Sequence, residues 1–344
     1  MNRFESKKTS FQWPLLLTLL AATFAFGVFV GSGVGIFTTS APGKGETVRE
    51  NDEGTFRFIR SSLESSGKIK HQMAKELKPF QYKVNALIEN VVKSGQASGV
   101  SVYFRDLNNG NWFGIREHDK FSPKSLLKVP LMIAYFKWAE SSPLVLRKTL
   151  IYRGGNKESE QDEESRTKEL DPGKAYTVND LIFRMIVHDD SSAYSLLYAN
   201  LPSGRLDKIF KDLYVEYDPH KQDDSLSLNA FAAFYRVLYN ASYLSEEMSE
   251  KALRYLSNFS FRNGMASGVP PNIEIAYKEG ERTITDSTGG EQHELLQLHA
   301  FGIIYHPNRP FLLGITAKGT DIDHLTKVIR DITRLVYEEV DKQS

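Results

Sequence analysis

The 344-residue chain predicts an α+β fold, with one five-stranded antiparallel sheet flanked by helices and set beside a helical block. Three observations predict it. Two β-rich runs flank an Asn-Gly pair at residues 109 and 110, after a stretch with helical spacing. Helical patterns then dominate from about residue 123 to residue 258. From residue 273 three more β-rich runs lead into a closing helical stretch, so both ends of the chain supply strands to one sheet.

The elements follow in order. Between Lys8 and Lys44 no residue is charged, and Trp13–Phe37 is predominantly apolar. As a helix these 25 residues reach about 37 Å, enough for a hydrocarbon core of about 30 Å. Arg3, Lys7 and Lys8 precede the stretch, which places residues 1–11 in the cytoplasm, 12–37 across the plasma membrane and the rest outside. The alternative is a cleaved signal peptide with its cut near Thr38-Thr39-Ser40-Ala41; the apolar run is long for one. Residues 38–78 read as a juxtamembrane linker. Within it, residues 56–78 mix aromatics with Lys, Ser and Glu, and either extend the linker or lie across the domain surface.

The folded domain is expected over 79–344. Phe80, Val84, Leu87, Ile88, Val91 and Val92 recur at helical spacing from Lys78 and stop at Gly95. Gly99–Arg105 and Trp112–Ile115 form the hairpin around Asn109-Gly110. A helix from Pro123 to Ala139 is apolar on most faces and therefore buried. Residues 156–169 are too polar to pack and read as a solvated loop. Thr177 caps a helix that runs through Val187, and another starts near Ser191. Helical patterns cover 227–240 and 246–258; strands are expected at Ile273–Tyr277, His299–Tyr305 and Phe311–Ala317, and a helix at Asp321–Val340.

Composition narrows the chemistry. Lys plus Arg equals Asp plus Glu at 43 each, so no net field recruits nucleic acid. Cysteine is absent, which removes disulfides, thiolate nucleophiles and thiolate metal sites. The eight histidines are scattered without ligand spacing, so neither a metal nor another cofactor is expected. His188 reads as a helix-end residue, with base chemistry beside Asp189 as the alternative, and Trp112 and Trp138 read as packing residues.

The chemistry-bearing motif is Phe121-Ser-Pro-Lys-Ser125-Leu-Leu-Lys128. On a helix Ser125 and Lys128 share a face, and Pro123 suits the first turn. A hydroxyl there lies in the positive field of the helix N-terminus, within reach of an amine whose pKa burial depresses. Such a lysine serves as a general base toward the hydroxyl. The tetrapeptide alone is weak, since Ser165–Lys168 repeats it inside the acidic loop.

With its hairpin before and apolar helix after, this segment resembles the active-site helix of class A β-lactamases and penicillin-binding proteins. Thr177–Asp189-Asp190-Ser191 and the residues after it resemble the family's second region, and Ile275-Ala-Tyr-Lys278-Glu279-Gly280 the third. The resemblance covers about 79–340. It implies a β-lactamase/transpeptidase-like fold with Ser125 as acylated nucleophile, Lys128 as its base and Lys278 as a substrate-facing cation. It also implies an oxyanion hole from the Ser125 and Glu281 N–H groups, and a structural role for Asp190.

The departures are specific. Asp189 stands where the family has a proton-shuttling serine, Ser191 where it has an asparagine, and Glu279 where it has a threonine. Glu279 is expected to repel a substrate carboxylate unless Arg282 or Lys278 neutralises it. Only about 36 residues separate Asp190 from Ser227, with no Glu-x-x-Leu-Asn to activate a hydrolytic water. Glu216, Asp218, Asp223 and Asp224 are the acids nearby.

The expectation is a membrane-anchored extracytoplasmic serine hydrolase, acylated at Ser125 by a β-lactam, a cell-wall peptide or another amide or ester. The alternative is an impaired β-lactamase-fold domain serving as a binding or scaffold module.

Overall fold

The computed structural model describes residues 56–59, 70–154, 170–217, 225–259, 262–286 and 293–344. The apolar segment 12–37, the acidic stretch 156–169 and three of the four acids before Ser227 (Asp218, Asp223 and Asp224) lie outside them. No helix among the described residues is long and apolar enough to cross a membrane.

Five antiparallel strands form the sheet: β1 (Gly99–Asp106), β2 (Trp112–Ile115), β7 (Ile275–Asp286), β8 (His293–Ile304) and β9 (Phe311–Gly319). Their order is β2-β1-β9-β8-β7, so the last strand of the chain lies at the centre and β7 at an edge. Two-residue strands β3 (Lys120–Phe121) and β6 (Leu226–Ser227) pair elsewhere, as do β4 (Thr149–Ile151) and β5 (Ala175–Thr177).

Alternation along the strands divides the interior into two cores. Val100, Val102 and Phe104 on β1, with Leu313, Ile315 and Ala317 on β9, pack against the terminal helices α1 (Lys70–Lys93) and α9 (Ile322–Asp341). On the opposite face Tyr103, Phe301, Ile303 and Leu312 meet the helical block. That block comprises α2 (Lys128–Ser141), α3 (Val178–Val187), α4 (Ser191–Asn200), α5 (Arg205–Asp212), α6 (Leu228–Tyr239) and α7 (Glu246–Ser257). A single turn, α8 (Gly264–Ser267), leads back toward β7. In α2 ten of the fourteen residues are buried, which makes it the interior column of the block.

The α+β class, the antiparallel five-stranded sheet and the two-sided helix arrangement match the expectation; the details differ in four places. The helix expected over Pro123–Ala139 opens as a 3-10 turn, Lys124–Leu127, and becomes α-helical at Lys128. Pro130 then falls in the first α turn, where its missing N–H costs nothing. Helix α1 starts at Lys70, eight residues before Lys78, and passes through Pro79 because Lys70–Leu77 is made of good helix formers. The linker boundary at residue 78 is therefore too late, and Phe58, only 4% exposed, joins the helical-block core. Helix α5 was not anticipated, although Leu206, Ile209 and Phe210 carry its apolar face.

Candidate active site

Ser125 lies half-buried on the 3-10 turn that precedes α2. Three contacts hold the approach to it. Lys120 and Phe121 pair with Ser227 and Leu226, the Ser122 N–H donates to Gln297 Oε1 at 3.3 Å, and the Arg282 guanidinium contacts Ser122 Oγ. Behind Ser125 stands Gly280. A Cβ at that position would lie 2.5 Å from His299 Nε2 and 3.3 Å from Ser125 Cβ. Close approach, rather than an unusual φ, is what demands glycine here. Gly280→Ala should therefore displace Ser125 or His299 and reduce labelling of Ser125 by about a hundredfold with the fold intact; acylation rates beside thermal melts check this.

Two amines converge on one carboxylate. Lys128, the first residue of α2, is 4% exposed, and its Nζ donates to Asp189 Oδ1 at 2.5 Å and to the Asp189 carbonyl at 2.7 Å. Lys278 reaches the same Oδ1 from β7 at 2.7 Å. Asp189 occupies the bend between α3 and α4 with φ 55°, a left-handed conformation that Asp enters more readily than most residues. This bend turns both its carboxylate and its carbonyl toward Lys128. Thr177 and Asp190 cap the flanking helices and so fix the bend: Thr177 accepts from Asp180 N–H, Asp190 from Ala193 N–H at 2.9 Å and from Arg184 Nε at 3.2 Å.

The charges of the cluster are linked. Burial lowers the Lys128 pKa; Asp189 opposes that fall and the Lys278 charge adds to it. Burial alone would raise the Asp189 carboxyl, but Lys278 and Lys128 outweigh it and hold it below the usual range. One ionised carboxylate thus stands between two amines, and losing one ammonium proton leaves the group neutral overall.

The remaining expected residues are dispersed. Ser191 is the exposed first residue of α4. Glu281 is exposed on the edge strand next to Gly280. Glu279 corrects an expectation: alternation turns it away from the face that carries Lys278 and Gly280. It accepts the Met265 N–H of α8 at 3.1 Å, so it caps a turn instead of meeting a substrate carboxylate. Arg282, on the Lys278 face, braces Ser122 and does not offset Glu279. His188 ends α3 with its ring edge-on to Phe183. Glu216 is exposed.

Burial pushes the Glu279 carboxyl up to about 7, against the Met265 N–H and Lys278, which favour its ionised form. Because the folded state holds this proton more tightly than the unfolded chain, the stabilisation is complete below the ordinary carboxyl pKa of 4.5 and is lost as pH rises through about 7. Glu279→Gln should raise the melting temperature by a few degrees at pH 8 and change little at pH 5. Melts at the two pH values decide it.

Sequence patterns missed His299, which lies within about 6 Å of Ser125 Cβ across Gly280. Period-two alternation on β8 marks its face, but only the register Gly280↔His299 brings it to the nucleophile.

Fold and site together define a class, the α+β architecture of β-lactamases and transpeptidases, with the Ser-x-x-Lys helix set against the edge strand. The chain belongs to the Beta-lactamase enzyme family, whose model matches residues 83–340. Among solved structures it is similar to PBP-A (18% identity, TM-score 0.60, covering 75% of this chain and 96% of that one). It is also similar to a β-lactamase from Xanthomonas campestris pv. campestris (17%, TM-score 0.61, 75% and 97%). A third is a β-lactamase from Sphaerobacter thermophilus (18%, TM-score 0.60, 73% and 94%). No curated protein is significantly similar in sequence.

Proposed function

We propose that the chain is a membrane-anchored, extracytoplasmic serine hydrolase whose Ser125 is acylated by a β-lactam, a cell-wall peptide or a related amide or ester. The observation that carries this reading is the sharing of Asp189 by Lys128 and Lys278 one turn beyond Ser125. Another member of this fold, a PBP-A variant, is described as an acyl-enzyme complex with penicillin G, which supports the same chemistry here.

Neutral Lys128 takes the Ser125 hydroxyl proton as Oγ attacks the carbonyl carbon. The oxyanion falls to the backbone N–H groups of Ser125 and Glu281. Collapse breaks the carbon–nitrogen bond, and the leaving nitrogen takes its proton back from the Lys128–Asp189–Lys278 cluster, with Asp189 in the place of the family's hydroxyl. Deacylation is slow, because Glu216 is exposed and no water-activating glutamate motif precedes Ser227.

Intact-mass spectrometry after exposure to benzylpenicillin and to a fluorophosphonate tests this. The expected result is one persistent adduct that disappears in Ser125→Ala; fast turnover of benzylpenicillin would refute slow deacylation. A second reading, a binding module with a silenced nucleophile, draws on the 2.5 Å ion pair to Asp189, which opposes loss of the Lys128 proton. It requires that no adduct form even at pH 9. Anchoring through residues 12–37 is checked by protease treatment of intact cells, which should degrade the domain.

A further inference from the structure

Residues 56–59 lie against the folded body, and their contacts have the form of peptide recognition. The N–H groups of Arg57 and Phe58 donate to the two oxygens of one carboxylate, Glu250 on α7, at 3.0 and 2.7 Å. The bend at Arg57 and Phe58 is what lets two successive N–H groups converge. Glu250 is 3% exposed, so this main-chain contact lies in the interior. The Phe58 ring stands edge-on to Tyr305 with centroids 5.3 Å apart, and the Tyr305 hydroxyl donates to the Phe58 carbonyl at 3.1 Å. The Arg57 guanidinium pairs with Glu274 at 2.6 Å. Backbone, aromatic ring and cation are each matched by a separate group. Beyond Phe58 the groove continues as a cavity of about 510 Å³ with Phe183, Arg254, Tyr255 and Asn258 in its walls.

We infer that the groove between α7 and the residue preceding β7 is a docking site for a bent Arg-Phe peptide, filled by this chain's own residues 57 and 58, and that its occupancy pins the start of the Lys278 strand. Glu274 immediately precedes β7, and its carbonyl accepts the Tyr305 N–H at 2.9 Å. Two of the three residues that grip the strap, Tyr305 and Glu274, therefore meet at one corner of the sheet, four residues from Lys278. Burial raises the Glu274 carboxyl, Arg57 lowers it and Glu250 raises it, so removing Arg57 leaves two carboxylates facing each other.

The test uses the full chain. Phe58→Ala should accelerate native-state proteolysis within residues 38–69 roughly tenfold or more, since opening no longer exposes a buried ring. Glu250→Gln, which leaves no cavity, should act in the same direction more weakly. A synthetic peptide of residues 54–62 should accelerate cleavage of the wild-type strap by competing for the groove, and the same peptide with Phe58→Ala should not. Hydrogen exchange at Ile275–Glu279 should rise at least tenfold in Phe58→Ala. Unchanged cleavage in both variants, or equal effects of the two peptides, would overturn the docking site; accelerated cleavage with unchanged exchange would overturn the pin. Each measurement is independent of Ser125 chemistry, so a protein that forms no acyl adduct would refute the hydrolase reading and leave these results to decide this one.

Discussion

Replacing Lys128 with methionine should slow acylation of Ser125 by about a thousandfold while leaving the fold intact. Methionine keeps the length and apolar stem of the side chain, so α2, buried along most of its surface, loses no packing. On the proposed mechanism the substitution removes the amine that accepts the Ser125 proton, and a positioned general base contributes typically about 10² to 10⁴ in rate. Asp189 retains Lys278 at 2.7 Å, so no orphaned carboxylate is left behind. A buried ammonium is also removed, and the melting temperature should hold or rise. Stopped-flow labelling beside thermal melts separates the two effects. A variant that acylates within tenfold of the parent would show that another group takes the proton, with the His299 imidazole, within about 6 Å of Ser125 Cβ, as the candidate.

The Asp189→Asn variant should move the acid limb of the acylation profile to lower pH. Asparagine keeps the shape and tolerates the left-handed φ of 55°, so the bend between α3 and α4 survives. It removes the one carboxylate whose charge and hydrogen bond raise Lys128 most, while burial and the Lys278 charge continue to lower it. On the proposed mechanism the reactive form is neutral Lys128, and lowering its pKa enlarges that fraction on the acid side. Below both pKa values a shift of one unit means about tenfold faster acylation than the parent at the same pH. Asp189→Ser, which restores the family's hydroxyl, should share this shift and gain leaving-group protonation as well. A limb that stays in place would show that Asp189 does not set the protonation of Lys128.

Much of the fold was legible because it is written in local patterns. The Asn109-Gly110 turn marks the hairpin, Thr177 marks the start of α3, and the short apolar run of β9 and the amphipathic period of α9 mark the last two elements. Ser125 and Lys128 were legible as a pair because three residues on a helical turn share a face. What escaped depends on partners far away in the chain. Glu279 was read as substrate-facing because the motif names a position, whereas its strand face follows from which neighbour, Lys278 or Glu279, turns toward Asp189. His299 reaches Ser125 only through the β7–β8 register, and Phe58 finds Glu250 across 192 residues. No window of sequence contains such pairs. Helix α5 is different: its signal was present at Leu206, Ile209 and Phe210 but is confined to eight residues, short for a periodicity to stand out.

The central position of β9 has a consequence for how the molecule is made. Strand β1 can form a hairpin with β2 as soon as residue 115 has emerged, yet its other edge pairs with β9, Gly99 opposite Lys318, a partner synthesised more than 200 residues later. An isolated two-stranded ribbon is marginal in water, so the nascent chain carries an unpaired apolar edge until residue 319 has emerged. Assembly is therefore governed by closure of one very long loop, which sets a slow, late and cooperative folding step. A polypeptide that stops before Phe311 has lost the strand that joins its two halves. The turn that carries Ser125, packed against β7, then has no finished wall behind it until Phe311–Gly319 has been made.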